Sequence, residues 1–133
     1  MSHDPPKQIL LVDDEENTSL ILGEILKQEG YCVLIASNGK EALNVLNHQS
    51  IDLVLTDIKM PEMDGMKFLE EIAKGKFNLK VIVITAYAQI ESYLNACDLG
   101  AFEYLKKPLD LIDLKLIIRK ALQDKPKTLS GQL

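Results

Sequence analysis

The chain has 133 residues, 47% hydrophobic and 26% charged, with a formal net charge of −5. One ordinary domain is implied, large enough to bury a core without a disulfide or structural metal, and the apolar fraction argues against disorder. A direct nucleic-acid module is not expected, because 20 acidic residues face 15 basic ones and only Arg119 is an arginine.

Residues 1–6 read as a flexible lead-in ended by Pro5-Pro6, 7–122 as the folded domain, and 123–133 as a polar linker or frayed tail. Ile9-Leu10-Leu11-Val12 is an unbroken apolar run that stops at Asp13-Asp14, the pattern of a strand buried on both faces. From Glu16 to Glu29, Leu20, Ile21, Ile25 and Leu26 recur at helical spacing, and Gly30 is the stop. Tyr31 to Ala36 is a second strand, and Ser37-Asn38-Gly39 turns into a helix carrying Ala42, Leu43, Val45 and Leu46. Leu53-Val54-Leu55 is a third strand ending at Thr56-Asp57, followed by loop chemistry through Met60-Pro61-Glu62-Met63-Asp64-Gly65. Phe68, Leu69 and Ile72 mark a third helix, and Val81 to Ile84 a fourth strand that ends at Thr85. Ile90, Tyr93, Leu94 and Cys97 suggest a fourth helix closed by Gly100. Phe102 to Leu105 is a fifth strand leading to Lys106-Lys107-Pro108. Asp110 is the expected N-cap of a last helix with Leu111, Leu114, Ile117, Ile118, Ala121 and Leu122. Cys32 and Cys97, far apart and in apolar surroundings, are expected to be reduced core fillers.

Strands alternating with helices imply an α/β fold, a doubly wound five-stranded parallel sheet with helices on both faces, of the flavodoxin-like order 2-1-3-4-5. No apolar run approaches the roughly 20 residues of a membrane span. The first residues lack an apolar signal core, so no membrane role and a cytoplasmic location are expected.

Open parallel sheets bind ligands beyond the carboxyl ends of their strands. There the sequence places Asp13-Asp14-Glu15, Asp57, Thr85 and Lys107-Pro108, while the second strand ends without charge at Ala36-Ser37. If the first and third strands are neighbours, Asp13, Asp14 and Asp57 share a crevice. Their mutual repulsion calls for a hard cation, and Mg²⁺ takes one or two carboxylates together with a phosphate oxygen. A carboxylate can serve as the nucleophile for phosphoryl transfer, with Lys107 and the Thr85 hydroxyl stabilising the transferred oxygens.

Four runs carry a family resemblance: Leu11-Val12-Asp13-Asp14-Glu15, the stretch from Leu55 through Asp57 to Gly65, Val83-Ile84-Thr85-Ala86-Tyr87, and Gly100 through Tyr104 to Pro108. Over roughly residues 7–122 the chain resembles the receiver domain of two-component response regulators. The resemblance implies that Asp57 is the phosphoacceptor and that Asp13, Asp14, Asp57 and the Lys59 backbone carbonyl hold Mg²⁺, with Mn²⁺ as a possible substitute. It implies that Thr85 and Tyr104 form a switch pair, that Lys107 contacts the phosphoryl group, and that the Lys107–Pro108 bond is cis. The implied partners are a sensor histidine kinase or a histidine phosphotransfer protein, and an output domain or partner protein at the face of helix 4, strand 5 and helix 5. The expected enzymology is confined to the domain's own phosphorylation and dephosphorylation.

Bland readings stand beside these roles. An Asp after a strand is often only a helix N-cap, and Asp57 alone suits a turn. Thr85 suits any strand, Lys107 a solvated surface, and Tyr104 a plain core position. His3 and His48 have no ligand-like partner in the sequence. Lys59 and Tyr87 border the expected path of a hydrolytic water and are expected to slow phosphate loss. A degenerate receiver acting as a phosphorylation-independent interaction module is an alternative. An aspartate-nucleophile phosphatase is opposed by Lys59, which stands where a second Asp is needed as general acid. A flavin-mononucleotide module is opposed by the acidic run Asp13-Asp14-Glu15-Glu16, which repels phosphate. No output motif occurs after Leu122 within these residues, so output is expected from a partner surface or from a longer regulator of which this is the N-terminal part.

Overall fold

The computed structural model describes residues 5–58, 65–75, 77–86 and 95–123. In chain order these residues form β1 (Gln8–Val12), α1 (Glu16–Gln28), β2 (Cys32–Ala36), α2 (Gly39–His48), β3 (Leu53–Thr56), α3 (Gly65–Lys74) and β4 (Lys80–Thr85). They continue with α4, described over 95–98, then β5 (Glu103–Lys106) and α5 (Leu111–Gln123). The strands pair in parallel in the order β2-β1-β3-β4-β5. Of the expected fourth helix, Ile90, Tyr93 and Leu94 lie outside the described residues. So do most of the Met60–Gly65 loop, with Lys59, Tyr87 and the tail.

Residue alternation divides the core in two. Leu10, Val12, Val54, Val81 and Val83 point to the side covered by α2 and α3, where they meet Ala42, Leu46, Phe68 and Leu69. Ile9, Leu11, Leu53, Leu55, Ile82 and Ile84 point the other way, onto Leu26 of α1 and Leu114, Ile118 and Ala121 of α5. Continuous apolar strands are what a sheet buried on both faces requires.

Local chemistry sets the helix ends. Gly30 takes φ 100°, Gly30 N–H donates to Lys27 O at 3.0 Å and Tyr31 N–H to Leu26 O at 3.2 Å, the double bond of a Schellman stop. Gly100 repeats it with φ 93° and bonds to the Cys97 and Ala96 carbonyls. Asn38 Oδ1 accepts from Glu41 N–H at 2.8 Å, and Glu41 Oε1 accepts from Ser37 N–H at 2.9 Å, so α2 starts with reciprocal capping. Asp110 Oδ1 accepts from Ile112 and Asp113 N–H at 2.9 and 3.1 Å, the expected N-cap of α5.

The apolar positions of α1 divide between core and surface, and the expectation for the two cysteines is corrected. Leu20 and Ile21 are 53% and 64% exposed, because α1 lays Ser19, Gly23 and Leu26 on the sheet instead. A Cβ at Gly23 would sit 3.6–3.8 Å from Ile35, Val33 and Leu11, so small residues on that stripe bring the helix axis close. Cys32 and Cys97 are both exposed and are not core fillers. Cys32 opens the edge strand β2, covered by only one neighbour, and Cys97 stands on the outer side of the turn that buries Ala96.

Candidate functional site

The sheet places the site residues by one repeated device. Asp13, Asp57 and Lys107 each stand one residue past a strand, and each extends the ladder by one backbone bond. Asp13 N–H donates to Ala36 O at 3.1 Å, Asp57 N–H to Val12 O at 3.0 Å and Lys107 N–H to Thr85 O at 2.9 Å. The side chains that emerge there are thus fixed by the register of the strands.

They converge on one ammonium. Lys107 Nζ donates to Asp13 Oδ2 and to Asp57 Oδ2, 3.0 Å in each case. The Asp57, Asp13 and Lys107 side chains are 9%, 13% and 24% exposed, enough burial for pairing to be favoured. Burial alone would lower the Lys107 pKa. The hydrogen bonds to Asp13 and Asp57, and their charges, outweigh it and hold the ammonium above its ordinary value. The remaining carboxylate oxygens are bonded too: Glu15 N–H donates to Asp13 Oδ1 at 2.9 Å and Ile58 N–H to Asp57 Oδ1 at 2.6 Å. Thr56 Oγ1 donates to the Asp57 carbonyl at 2.9 Å, a further tie on the backbone at Asp57.

Asp14 is not part of that contact. It is exposed and lines an adjoining cavity with Asp13, Glu16 and Ser37. Among the described residues no three acidic, histidine or cysteine side chains stand close enough to cage an ion. Mg²⁺ needs no such cage, since one or two carboxylates and several waters satisfy it. The oxygen-only donors Asp13 and Asp57, with Asp14 at an open lip, fit that demand. The Lys59 carbonyl lies outside the described residues.

Thr85 is fully buried at the end of β4. Tyr104 pairs with Val83 and Lys106 with Thr85, so Tyr104 and Thr85 lie two positions apart on the same face of the sheet. Tyr104 packs, partly buried, against the α2–α3 side of the core. Lys106 is exposed, and the Lys107–Pro108 bond is cis. His48 is exposed and its Nδ1 donates to Asn44 O at 2.8 Å, an ordinary helix-end bond. Ser19, buried beneath the crevice, gives no sign of itself in the sequence, because a serine on an apolar stripe carries no signal of its own.

Residues 9–119 match the family model of the response regulator receiver domain. The chain belongs to that family. Receiver domains are signalling domains that accept a phosphoryl group, interact with histidine kinases and generally bind Mg²⁺. The chain is 43% identical over 116 residues to the regulatory protein AtoC of Escherichia coli, covering 87% of this chain and 25% of AtoC. It thus spans about a quarter of that relative. It is 34% identical over 116 residues to sporulation initiation phosphotransferase F of Bacillus subtilis, covering 87% of this chain and 94% of that protein. Among solved structures, the response regulator TrrA of Thermotoga maritima in complex with Mg²⁺–BeF is 40% identical with a TM-score of 0.79, covering 87% of this receiver and 99% of TrrA. A CheY-like receiver domain from Methanospirillum hungatei reaches a TM-score of 0.85 at 36% identity, covering 88% and 94% of the two chains.

Proposed function

We propose that this receiver, residues 7–122, takes a phosphoryl group on the Asp57 carboxylate from the phosphohistidine of a sensor kinase or histidine phosphotransfer protein in the cytoplasm. The observation that carries the reading is Lys107 Nζ, held 3.0 Å from both Asp13 and Asp57. The cation needed by the incoming phosphoryl oxygens is already stationed on the acceptor. As the Asp57 oxygen attacks phosphorus, the P–N bond to the donor imidazole breaks and a P–O bond forms. Lys107 moves from carboxylate to phosphoryl oxygen, and the Thr85 hydroxyl donates to another. Asp13, Asp14 and Asp57, with the Lys59 carbonyl, would hold Mg²⁺ or Mn²⁺, which when bound neutralises charge on the carboxylates and the phosphoryl oxygens. The only reactions are the domain's own phosphorylation and dephosphorylation.

Two surfaces support a switching role. A groove of about 350 Å³ runs from Lys107 between α1 and α5, lined by Ile21, Ile25, Pro108, Leu109 and Leu111. Its apolar wall begins at the rim of the crevice, where a donor must stand to reach Asp57. Tyr104, beside Thr85 on one sheet face, couples the crevice to the α4–β5–α5 face, where an output domain or partner would read the change.

The test is intact mass after incubation with Mg²⁺ and acetyl phosphate, with a kinase donor as control. Wild type is expected to gain one phosphoryl group and Asp57→Ala none. No gain from either donor would instead make the domain a phosphorylation-independent interaction module.

A further inference from the structure

Beneath the crevice one hydrogen-bonding group is unaccounted for. Ser19, in the first turn of α1, is 2% exposed, and its Oγ is the one buried side-chain polar atom among the described residues without a hydrogen-bond partner. Buried polar atoms are nearly always satisfied, by protein or by water. The usual recourse of a helical serine is the carbonyl four residues back. Here the Glu15 carbonyl takes the Ser19 N–H at 3.1 Å, and Oγ does not share it.

Ser19 lines a cavity of about 30 Å³ whose other polar walls are Asp13, Thr18, Thr56, Asp57 and Lys107. A void that admits one water-sized sphere, roughly 10–15 Å³ of occupied volume, suffices for one water, provided that two or more polar groups receive it. Ser19 is one such group. Lys107 is the second: an ammonium has three donors, and two are directed at Asp13 and Asp57. The Thr56 hydroxyl is already committed to the Asp57 carbonyl.

We propose that this cavity is an ordered-water site in which Ser19 Oγ holds, through a single water, the third N–H of Lys107. Ser19 is then a positioning residue. When Lys107 leaves the Asp57 oxygen for a phosphoryl oxygen, the water tether keeps the ammonium in the crevice during the exchange. The inference rests on the reading of Lys107 as the phosphoryl contact.

Two measurements test it. In a high-resolution crystal structure of the wild-type protein, a water is expected within hydrogen-bond distance of both Ser19 Oγ and Lys107 Nζ. In acetyl phosphate time courses, Ser19→Ala is expected to lower the maximal phosphorylation rate about two- to tenfold, the range one lost hydrogen bond allows. Half-saturating Mg²⁺ and donor concentrations should stay the same, a split that a general loosening of the site would not produce. A dry cavity with Ser19 Oγ turned to the Glu15 carbonyl overturns the proposal. So does an unchanged maximal rate in Ser19→Ala, or a loss carried entirely by half-saturating Mg²⁺. If wild type accepts no phosphoryl group, the phosphoacceptor reading fails, and the crystal structure alone decides for or against the water.

Discussion

The two sides of the sheet are covered by helices of similar length, yet they treat apolar surface differently. Among the described residues, α2 and α3 leave no large apolar side chain exposed. α1 and α5 expose Leu20, Ile21, Leu111, Ile112 and Leu116. The α2–α3 side therefore behaves as finished core. On the α1–α5 side Ile21 and Leu111 line a groove that reaches the crevice at Lys107 and Pro108, while Leu20 lines a separate cavity with Asp14 and Ile35. An exposed apolar patch beside a buried charge cluster is the informative departure from the usual inside–outside rule.

The sharpest way to break the comparison is to truncate one large side chain on each side. Phe68→Ala on α3 removes a fully buried ring from the finished core. It is expected to cost about 3–5 kcal/mol, read as a lower urea midpoint. Leu116→Ala on α5, where the side chain is 55% exposed, should stay within about 0.5 kcal/mol of wild type. Comparable losses would mean that α5 packs as tightly as α3.

A smaller effect separates docking from chemistry. Ile21→Ser removes apolar surface from the α1–α5 groove without adding a charge near Lys107, which lines the same groove. Transfer from a phosphohistidine donor is expected to slow about tenfold, equivalent to about 1.4 kcal/mol, while the acetyl phosphate rate is unchanged. Equal slowing with both donors would assign Ile21 to the site itself.

The same contrast explains how much the sequence could tell. The stop signals at Gly30 and Gly100 and the caps at Asn38 and Asp110 are local chemistry, and each is visible in a few residues. The meeting of Asp13, Asp57 and Lys107 is legible because each comes directly after a strand, at positions that the sheet register holds in place. Periodicity identifies which positions of a helix share a stripe. It does not say which of two apolar stripes meets the sheet. In α1 that choice is made by Gly23, which admits Ile35, Val33 and Leu11, so Leu20 and Ile21 turn outward. The exposure of Cys32 depends on β2 being an edge strand, a property of strand order and not of its own residues. Ser19 was invisible because its significance is a missing partner, which exists only in three dimensions.

A change of about 1 kcal/mol is expected from Asp110→Ala, which strips the cap from the Ile112 and Asp113 amides at the start of α5. Urea unfolding at neutral pH measures it. A neutral result would show that the helix is held by its packing through Leu114, Ile118 and Ala121 rather than by its cap.

The smallest effect lies at the far end of the α1–α5 side. Burial pushes the Tyr31 hydroxyl above its ordinary pKa of 10.0, the Arg119 charge pulls it back, and Glu29 pushes it up again. The folded state therefore holds this proton to higher pH than the unfolded state. Above pH 10 the unfolded chain ionises first, so the contribution is fully present below that pH and is lost as pH rises through the folded value. Tyr31→Phe should flatten the decline of urea stability between pH 9 and pH 11, with no pH-dependent difference between pH 6 and pH 8. A decline as steep as in wild type would mean that the alkaline loss comes from elsewhere, with Lys107 in the crevice as the next group to examine, since its raised pKa has the same sign.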